Sequence, residues 1–284
     1  MNRKVLENFR NYGMLTAFAL ICLVLSLTTP GFFSLQNMTI ILRQVSINGI
    51  LAIGVTFVII AGGIDLSLGS VVAFTGVMAA LFAHPGEFPL IVPLAVAVTA
   101  GLAIGALNGL VITRGTVAPF IVTLGMMTIA RGLALVASGG RPVTNLSDGF
   151  NFIGGGDLMG IPVPILIFGG VILASSFLLN KTRIGRYMYA VGGNEQAAYA
   201  AGVRVKSVKL IAYMICSALA AVAGIVLASR ITTGQPNAGI AYELDAIAAV
   251  VIGGTSLAGG IGSIGGTVLG VLLIGVINNG LDLL

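Results

Sequence analysis

Charge is what this chain of 284 residues has least of: 8% of its residues are Asp, Glu, Lys or Arg, against 57% hydrophobic. Soluble globular domains carry roughly 25% charged residues, so too little charge is present to cover a water-facing surface. The solvent around most of the chain must be lipid. Histidine is nearly absent as well. The one copy, His84, sits in the short loop His84-Pro85-Gly86-Glu87, and no cluster is spaced to hold a metal. No P-loop pattern occurs, so the chain does not cradle nucleotide phosphates in that way. Cys22 and Cys216 both lie in apolar segments and read as small buried hydrophobes, not as a disulfide. With no nucleophile–base or metal constellation, an enzymatic role is the weakest reading, and no cofactor is expected.

What the sequence does have is apolar length. Runs fall near 13–29, 38–61, 67–83, 89–112, 117–137, 162–180, 209–229, 243–258 and 263–283. A helix needs about 20 mostly apolar residues to cross a hydrocarbon layer of about 30 Å. Closed barrels, the other spanning solution, alternate apolar and polar residues, whereas Leu15–Leu27 and Ile47–Ala61 are continuous. The expectation is an all-α, polytopic membrane helical bundle of about nine spans, one membrane domain over residues 1–284. The opening stretch, with Arg3, Lys4 and Arg10 before an apolar run, has the outline of a secretory signal. Thr28-Thr29-Pro30-Gly31 offers no small-x-small cleavage site, so it reads as a retained first helix.

Basic residues orient the bundle. With the N-terminus in the cytoplasm, the inner segments hold Arg3, Lys4, Arg10, Arg114, Lys181, Arg183, Arg186, Arg204, Lys206 and Lys209. The outer ones hold Arg141, Arg230 and, at a boundary, Arg43. That bias places the N-terminus inside. It also accounts for the net charge of +5 without a nucleic-acid partner.

Glycine punctuates the runs. Ile59-Ile60-Ala61-Gly62-Gly63-Ile64-Asp65-Leu66-Ser67-Leu68-Gly69-Ser70 resembles Val251-Ile252-Gly253-Gly254-Thr255-Ser256-Leu257-Ala258-Gly259-Gly260: an apolar helix, a Gly-Gly break, a Ser-bearing turn, then another apolar helix. This weak internal repeat suggests interrupted helices lining a solute path, with Asp65, Ser67, Glu243, Asp245, Thr255 and Ser256 as candidate gate or pathway residues. Gly260-x-Gly262-x-x-Gly265 matches a dinucleotide fingerprint only formally. It opens an apolar helix and reads, like Gly101/Gly105/Gly109 and Gly262/Gly266/Gly270, as close helix packing.

Two readings stand for each intramembrane charge. Asp65 either caps the helix after the Gly62-Gly63 break or works at an inner gate or partner surface. Glu243 and Asp245, about 200° apart on a helix, cannot share a face. They either answer a helix dipole or meet something at the entrance. Arg131 either snorkels outward or pairs with an acid.

The most polar segment runs from Lys181 to Lys209. Asn194 is a good N-cap, Glu195 favours the positive helix end, and Gly202 is a natural stop after an Ala-rich run. A helix this short is marginal in water, so it either docks a partner or packs on its own membrane domain.

Gln196-Ala197-Ala198-x-x-x-Gly202 resembles the EAA loop of ABC importer permeases. Gly63–Ser70, Gly185–Glu195, Tyr242–Gly260 and Asn278-Asn279-Gly280-Leu281 resemble the ribose-type sugar permease subunit of bacterial ABC importers, in order and over nearly the whole chain. The resemblance implies a coupling loop formed by Gly192, Gly193, Asn194, Glu195, Gln196, Ala197, Ala198 and Gly202, inserted into a cytoplasmic ATPase subunit. It also implies a second permease copy, a periplasmic sugar-binding protein and residence in the bacterial inner membrane, among its lipid. Two departures stand out. Gln196 replaces the Glu of the general pattern, and the chain stops at Leu284 where family members usually continue for about one more helix and a basic tail, so a final, tenth span is expected to be missing. The chain has no tryptophan, so no tight sugar pocket with stacking rings is expected. Selectivity and energy would come from the other subunits. Competing readings are a proton-coupled secondary transporter using Asp65, Glu243 or Asp245 as a relay, a passive channel, and a branched-chain amino-acid ABC permease.

Overall fold

The computed structural model describes residues 3–283, with side chains from Gly13 onward apart from Met14 and Leu15. The side chains of Arg3, Lys4 and Arg10, and the chain end at Leu284, lie outside the described residues. Helices α1 (Arg3–Thr28), α2 (Leu35–Ile60), α3 (Leu68–Leu81), α4 (Ile91–Gly115) and α5 (Pro119–Ser138) are followed by a short α6 (Asp148–Gly155). A two-residue hairpin, β1 (Asp157–Leu158) and β2 (Ile161–Pro162), leads into α7 (Val163–Lys181), α8 (Arg183–Gly193), α9 (Glu195–Ala200), α10 (Val205–Arg230), α11 (Tyr242–Ile252) and α12 (Ile264–Leu283).

Six of these, α2, α4, α5, α7, α10 and α12, are long and apolar enough to cross a membrane. Among the described residues, six of the expected spans are thus met by helices of spanning length. In α1, Thr16–Thr28 forms a shorter apolar stretch among the described residues. Helix α3 has 14 residues and α11 has 11, lengths of about 21 and 16 Å at 1.5 Å per residue. Backbone punctuation sets these limits. Gly62 (φ +77°) precedes α3; Gly239 (φ +69°) and Ala241 (φ +67°) precede α11, and Gly254 (φ +86°) follows it.

Helix α2 is the axis of the bundle, solvent-free from Gly49 to Ile60 and packed against α10, α12, α11 and α7. Helix α12 runs antiparallel beside it. Asn37 and Asn279 exchange two side-chain hydrogen bonds of 3.0 and 2.9 Å at one end. Thr56 and Thr267 share a hydroxyl contact of 2.7 Å toward the other. The glycine stripe of α4 faces α10, as its spacing predicts: a Cβ on Gly101 would stand 2.7 Å from the Ser217 carbonyl oxygen, and one on Gly109 2.9 Å from Leu210 Cα.

These contacts place the two short helices in opposite halves of the bundle. Helix α11 lies beside the half of α12 nearest α8 and α9, with Ala249 against Gly270 and Gly253 against Gly266. Helix α3 lies in the other half, with Val77 and Ala80 against Gly234, which pairs with Val143 in the loop before α6. Their N-terminal ends meet in mid-bundle, where Gly69 touches the Gly239 carbonyl and the Glu243 carboxylate. Non-helical chain, 61–67 and 231–241, completes the path each helix leaves unfinished. Irregular backbone is tolerated where protein encloses it, as around the buried Asp65 and Ser67. Both proposed repeat units do show helix, break, helix. Their lengths are exchanged, however: 26 then 14 residues in one, 11 then 20 in the other. The architecture does not support a simple duplication.

Candidate functional site: the α8–α9 loop and the glycine junction

Thr182 opens α8 by accepting from Gly185 N at 3.2 Å. Asn194 then ends α8 in extended conformation and caps α9, its Oδ1 accepting from Ala197 N at 2.9 Å. Gly202 (φ +83°) closes α9, and Val203 N reaches back to the Ala198 carbonyl at 3.0 Å. Cap and stop are both where the sequence puts them. One face of this segment packs on the membrane domain and the other is open. Met188, Val191 and Ala198 are buried against the bundle, while Gln196, Ala197, Ala200 and Ala201 are exposed and Tyr199 is 75% exposed. Glu195 does more than favour a helix dipole: its Oε2 takes a 2.6 Å ion pair from Lys209 Nζ on α10.

Behind this loop three backbone segments converge. Gly260 N donates to the Ile60 carbonyl at 3.0 Å. A Cβ on Gly192 would collide with that carbonyl and with Gly260 N. One on Gly259 would stand 2.7 Å from the Gly192 carbonyl oxygen and 3.1 Å from Gly62 Cα, and one on Gly260 2.7 Å from Gly193 Cα. Tyr189 adds a hydrogen bond from its hydroxyl to the Gly262 carbonyl at 2.8 Å, and burial pushes its phenol above the usual tyrosine range, so it remains a donor. The end of α8 is thus keyed into the break after α2 and the break after α11 at once. At Gly192, Gly259 and Gly260 backbone meets backbone directly, and Tyr189 bridges the joint beside them.

The other predicted residues fall in separate surroundings. Asp65 is fully buried but is not the cap of α3. Its Oδ1 accepts from Ser67 N at 2.9 Å and Ser67 Oγ at 2.6 Å, folding the turn before the helix. Ser67 Oγ also accepts from Asn108 Nδ2 at 3.2 Å, and Tyr213 donates to the Ile64 carbonyl at 3.1 Å. Asn108 and Tyr213 went unremarked in the sequence because each is a lone polar residue in an apolar run. Thr255 and Ser256 shape the break after α11: Thr255 N donates to Val250 O, and Ser256 N to Ile261 O at 2.9 Å. Glu243 turns toward α3 and Asp245 toward α2 and α12, different faces as their spacing requires. Arg131 neither snorkels nor meets a carboxylate directly. It donates to the carbonyls of Pro236 and Ala238, at 2.7 Å each, holding the descending loop before α11.

This combination, a polytopic bundle with interrupted helices and an exposed short helix keyed to both breaks, is that of a transport permease. The family model described as branched-chain amino acid transport system / permease component matches residues 37–284, and the chain belongs to that family. Among its relatives, the ribose import permease protein RbsC of Escherichia coli strain K12 is 46% identical over 274 residues, 95% of this chain and 85% of the relative. RbsC of Bacillus subtilis strain 168 is 46% identical over 96% and 85%. The L-arabinose transport system permease protein AraH of Escherichia coli strain K12 is 39% identical over 96% and 83%. No solved structure matches the chain.

Proposed function

We propose that the chain is the membrane-spanning subunit of an ABC importer for ribose or a similar monosaccharide, delivered by a periplasmic binding protein and driven by a separate ATPase docked on α9. Similarity to the RbsC and AraH relatives supports the sugar. The glycine junction is the observation that carries the mechanism. Closure of the ATPase dimer would move α8 and α9, and a joint in which backbone meets backbone at Gly192, Gly259 and Gly260 passes that displacement to the ends of α2 and α11. In this reading residues 1–284 form a single domain and two copies pair around the path. The N-terminus and α8–α9 face the cytoplasm. Nine passages alternate sides: the six long helices, α1, and the two short helices with their extended lead-ins.

The test is ATP-driven sugar uptake in proteoliposomes containing the chain with its ATPase and binding protein. Because Ala198 is buried, the loop is best challenged at its exposed face, with Ala197→Arg and Ala200→Arg together. The double variant should insert normally yet lose binding-protein-stimulated ATP hydrolysis and uptake. Uptake by the permease alone, or coupled uptake undiminished by the two arginines, would sink the reading.

A further inference from the structure

From the middle of α2 and the first turn of α11 we infer a sugar-contact point for the passing solute, formed by Gln44, Asn48 and Asp245. This rests on the importer reading and deepens it. The starting observation is an imbalance in how α2 satisfies its polar side chains. Asn37 pairs with Asn279, Thr39 and Ser46 bond back to carbonyls one turn earlier, Arg43 pairs with Asp157, and Thr56 meets Thr267. Gln44 and Asn48 have no side-chain partner among the described residues, and both are half-exposed. They are four residues apart, about 40° around the helix. Asn48 is the fourteenth of the 26 residues of α2, which puts it at the level of the bilayer centre.

Asp245 arrives at the same level from α11. With Asn48 it borders a cavity of about 10 Å³ walled by Val45, Ala249, Val271 and Ile274, room for about one water. Asp245 is also half-exposed and without a hydrogen-bond or ion-pair partner among the described residues. An acid at mid-membrane costs about 2.5–3.5 kcal/mol on insertion scales, and unsatisfied amides add to that. Asn48 and Asp245 at one cavity, with Gln44 a turn away from Asn48 on the same face of α2, are tolerable as partly exposed polar groups only where they meet water and polar solute. The outward faces of α5 and α7 show what lipid contact looks like here, with Ile121, Ile129, Leu173 and Phe177 all more than half exposed.

The donor set fits the cargo. A sugar hydroxyl both donates and accepts; an amide does the same, and a carboxylate accepts. Amides and a carboxylate give hydroxyl recognition through single hydrogen bonds, without strong retention, which is what a passage needs. Two copies of the chain would present two such sets across the path.

The experiment replaces Asn48 or Asp245 by Cys in a Cys22→Ala, Cys216→Ala background, in the reconstituted importer with ATPase and binding protein. A charged, membrane-impermeant thiosulfonate is the probe, and Ile129→Cys is the lipid-facing control. Both Asn48→Cys and Asp245→Cys should be modified, more slowly during sugar transport, while the control stays unmodified. In parallel, Asn48→Ala and Asp245→Ala should lower sugar uptake about tenfold, the loss of one hydrogen bond to the passing solute, while binding-protein-stimulated ATP hydrolysis persists. If the cysteines resist the probe, or instead cross-link to the same position of the second copy, the patch is lipid or dimer contact and the inference fails, though wild-type sugar uptake would leave the importer reading intact. Absence of ATP-driven sugar uptake by wild type overturns that reading itself.

Discussion

Gly192 and Gly193 are neighbours with opposite demands. A methyl group on Gly192 would strike the Ile60 carbonyl oxygen, which is backbone and cannot swing aside, whereas nothing lies within 4 Å of a Cβ on Gly193. Gly192→Ala should therefore destabilise the protein by about 1–3 kcal/mol, the range of overpacking, and lower coupled uptake. Gly193→Ala should leave melting in detergent nearly unchanged, and thermal melting with uptake assays on the two variants checks the contrast. Asp65 offers a second comparison. Alanine removes the acceptor used by Ser67 N and Ser67 Oγ, leaving buried donors unmet at a cost of about 1–3 kcal/mol. Asparagine keeps that acceptor and brings an N–H₂ to a pocket where Asp65 Oδ2 and Asn108 Oδ1 are buried acceptors without partners. Asp65→Asn should thus melt near wild type and Asp65→Ala well below it. Asp65 drew notice in the sequence as an acid in an apolar run. Its partner Ser67 stood out beside it, but Asn108 did not, because the Ser67–Asn108 link spans 41 residues and no periodicity encodes it.

At the scale of elements, helix ends were legible and helix extents were not. Asn194 and Gly202 bound α9 as expected, since a cap and a left-handed stop are local chemistry. The runs 67–83 and 243–258 have the apolar length of spans, yet the helices there, α3 and α11, have only 14 and 11 residues. Hydropathy counts apolar residues whether or not they are helical. Ile64 and Leu66 are as apolar in extended chain as in a helix, and packing of that segment against α4 and α10 lets its backbone dispense with helical hydrogen bonds. The Asn37–Asn279 pair joins elements 242 residues apart, so the family-like Asn278-Asn279 motif acquires a physical role only in the fold. Asn37→Leu alone strands the Asn279 amide in an apolar setting, and the reverse holds for Asn279→Leu. Each single variant should cost about 1–3 kcal/mol and the double variant less than their sum. A double-mutant cycle by chemical or thermal melting reads this coupling directly, and additive losses would show that the pair is incidental.

Over the whole molecule, charge is distributed along the bundle axis much as the sequence implied. Arg114, Lys181, Arg183, Arg186, Arg204, Lys206 and Lys209 flank the α8–α9 end, while Arg43, Arg141 and Arg230 lie toward the hairpin end, where Arg43 is paired with Asp157. One asymmetry serves two purposes in the proposed importer: it sets orientation in the membrane and gives the exposed face of α9 a positive surround. The Glu195–Lys209 pair is too exposed to matter much for stability. With Glu195 at 55% exposure, surface pairs of this kind contribute about 0–1 kcal/mol, so Glu195→Gln should melt near wild type. Arg204 and Lys206 are different because they lie open beside the concave surface formed with Gln196 and Tyr199. Rim charges act mainly on association rate and its salt dependence. Reversing both, Arg204→Glu with Lys206→Glu, should slow ATPase association about tenfold at low salt. The deficit should shrink toward nothing as salt approaches about 1 M, where screening acts over roughly 3 Å. Surface plasmon resonance of the ATPase on nanodisc-embedded permease at several ionic strengths would measure it. A deficit independent of salt would mean that the two side chains make specific contacts instead, and that steering by the basic end plays no part in assembly.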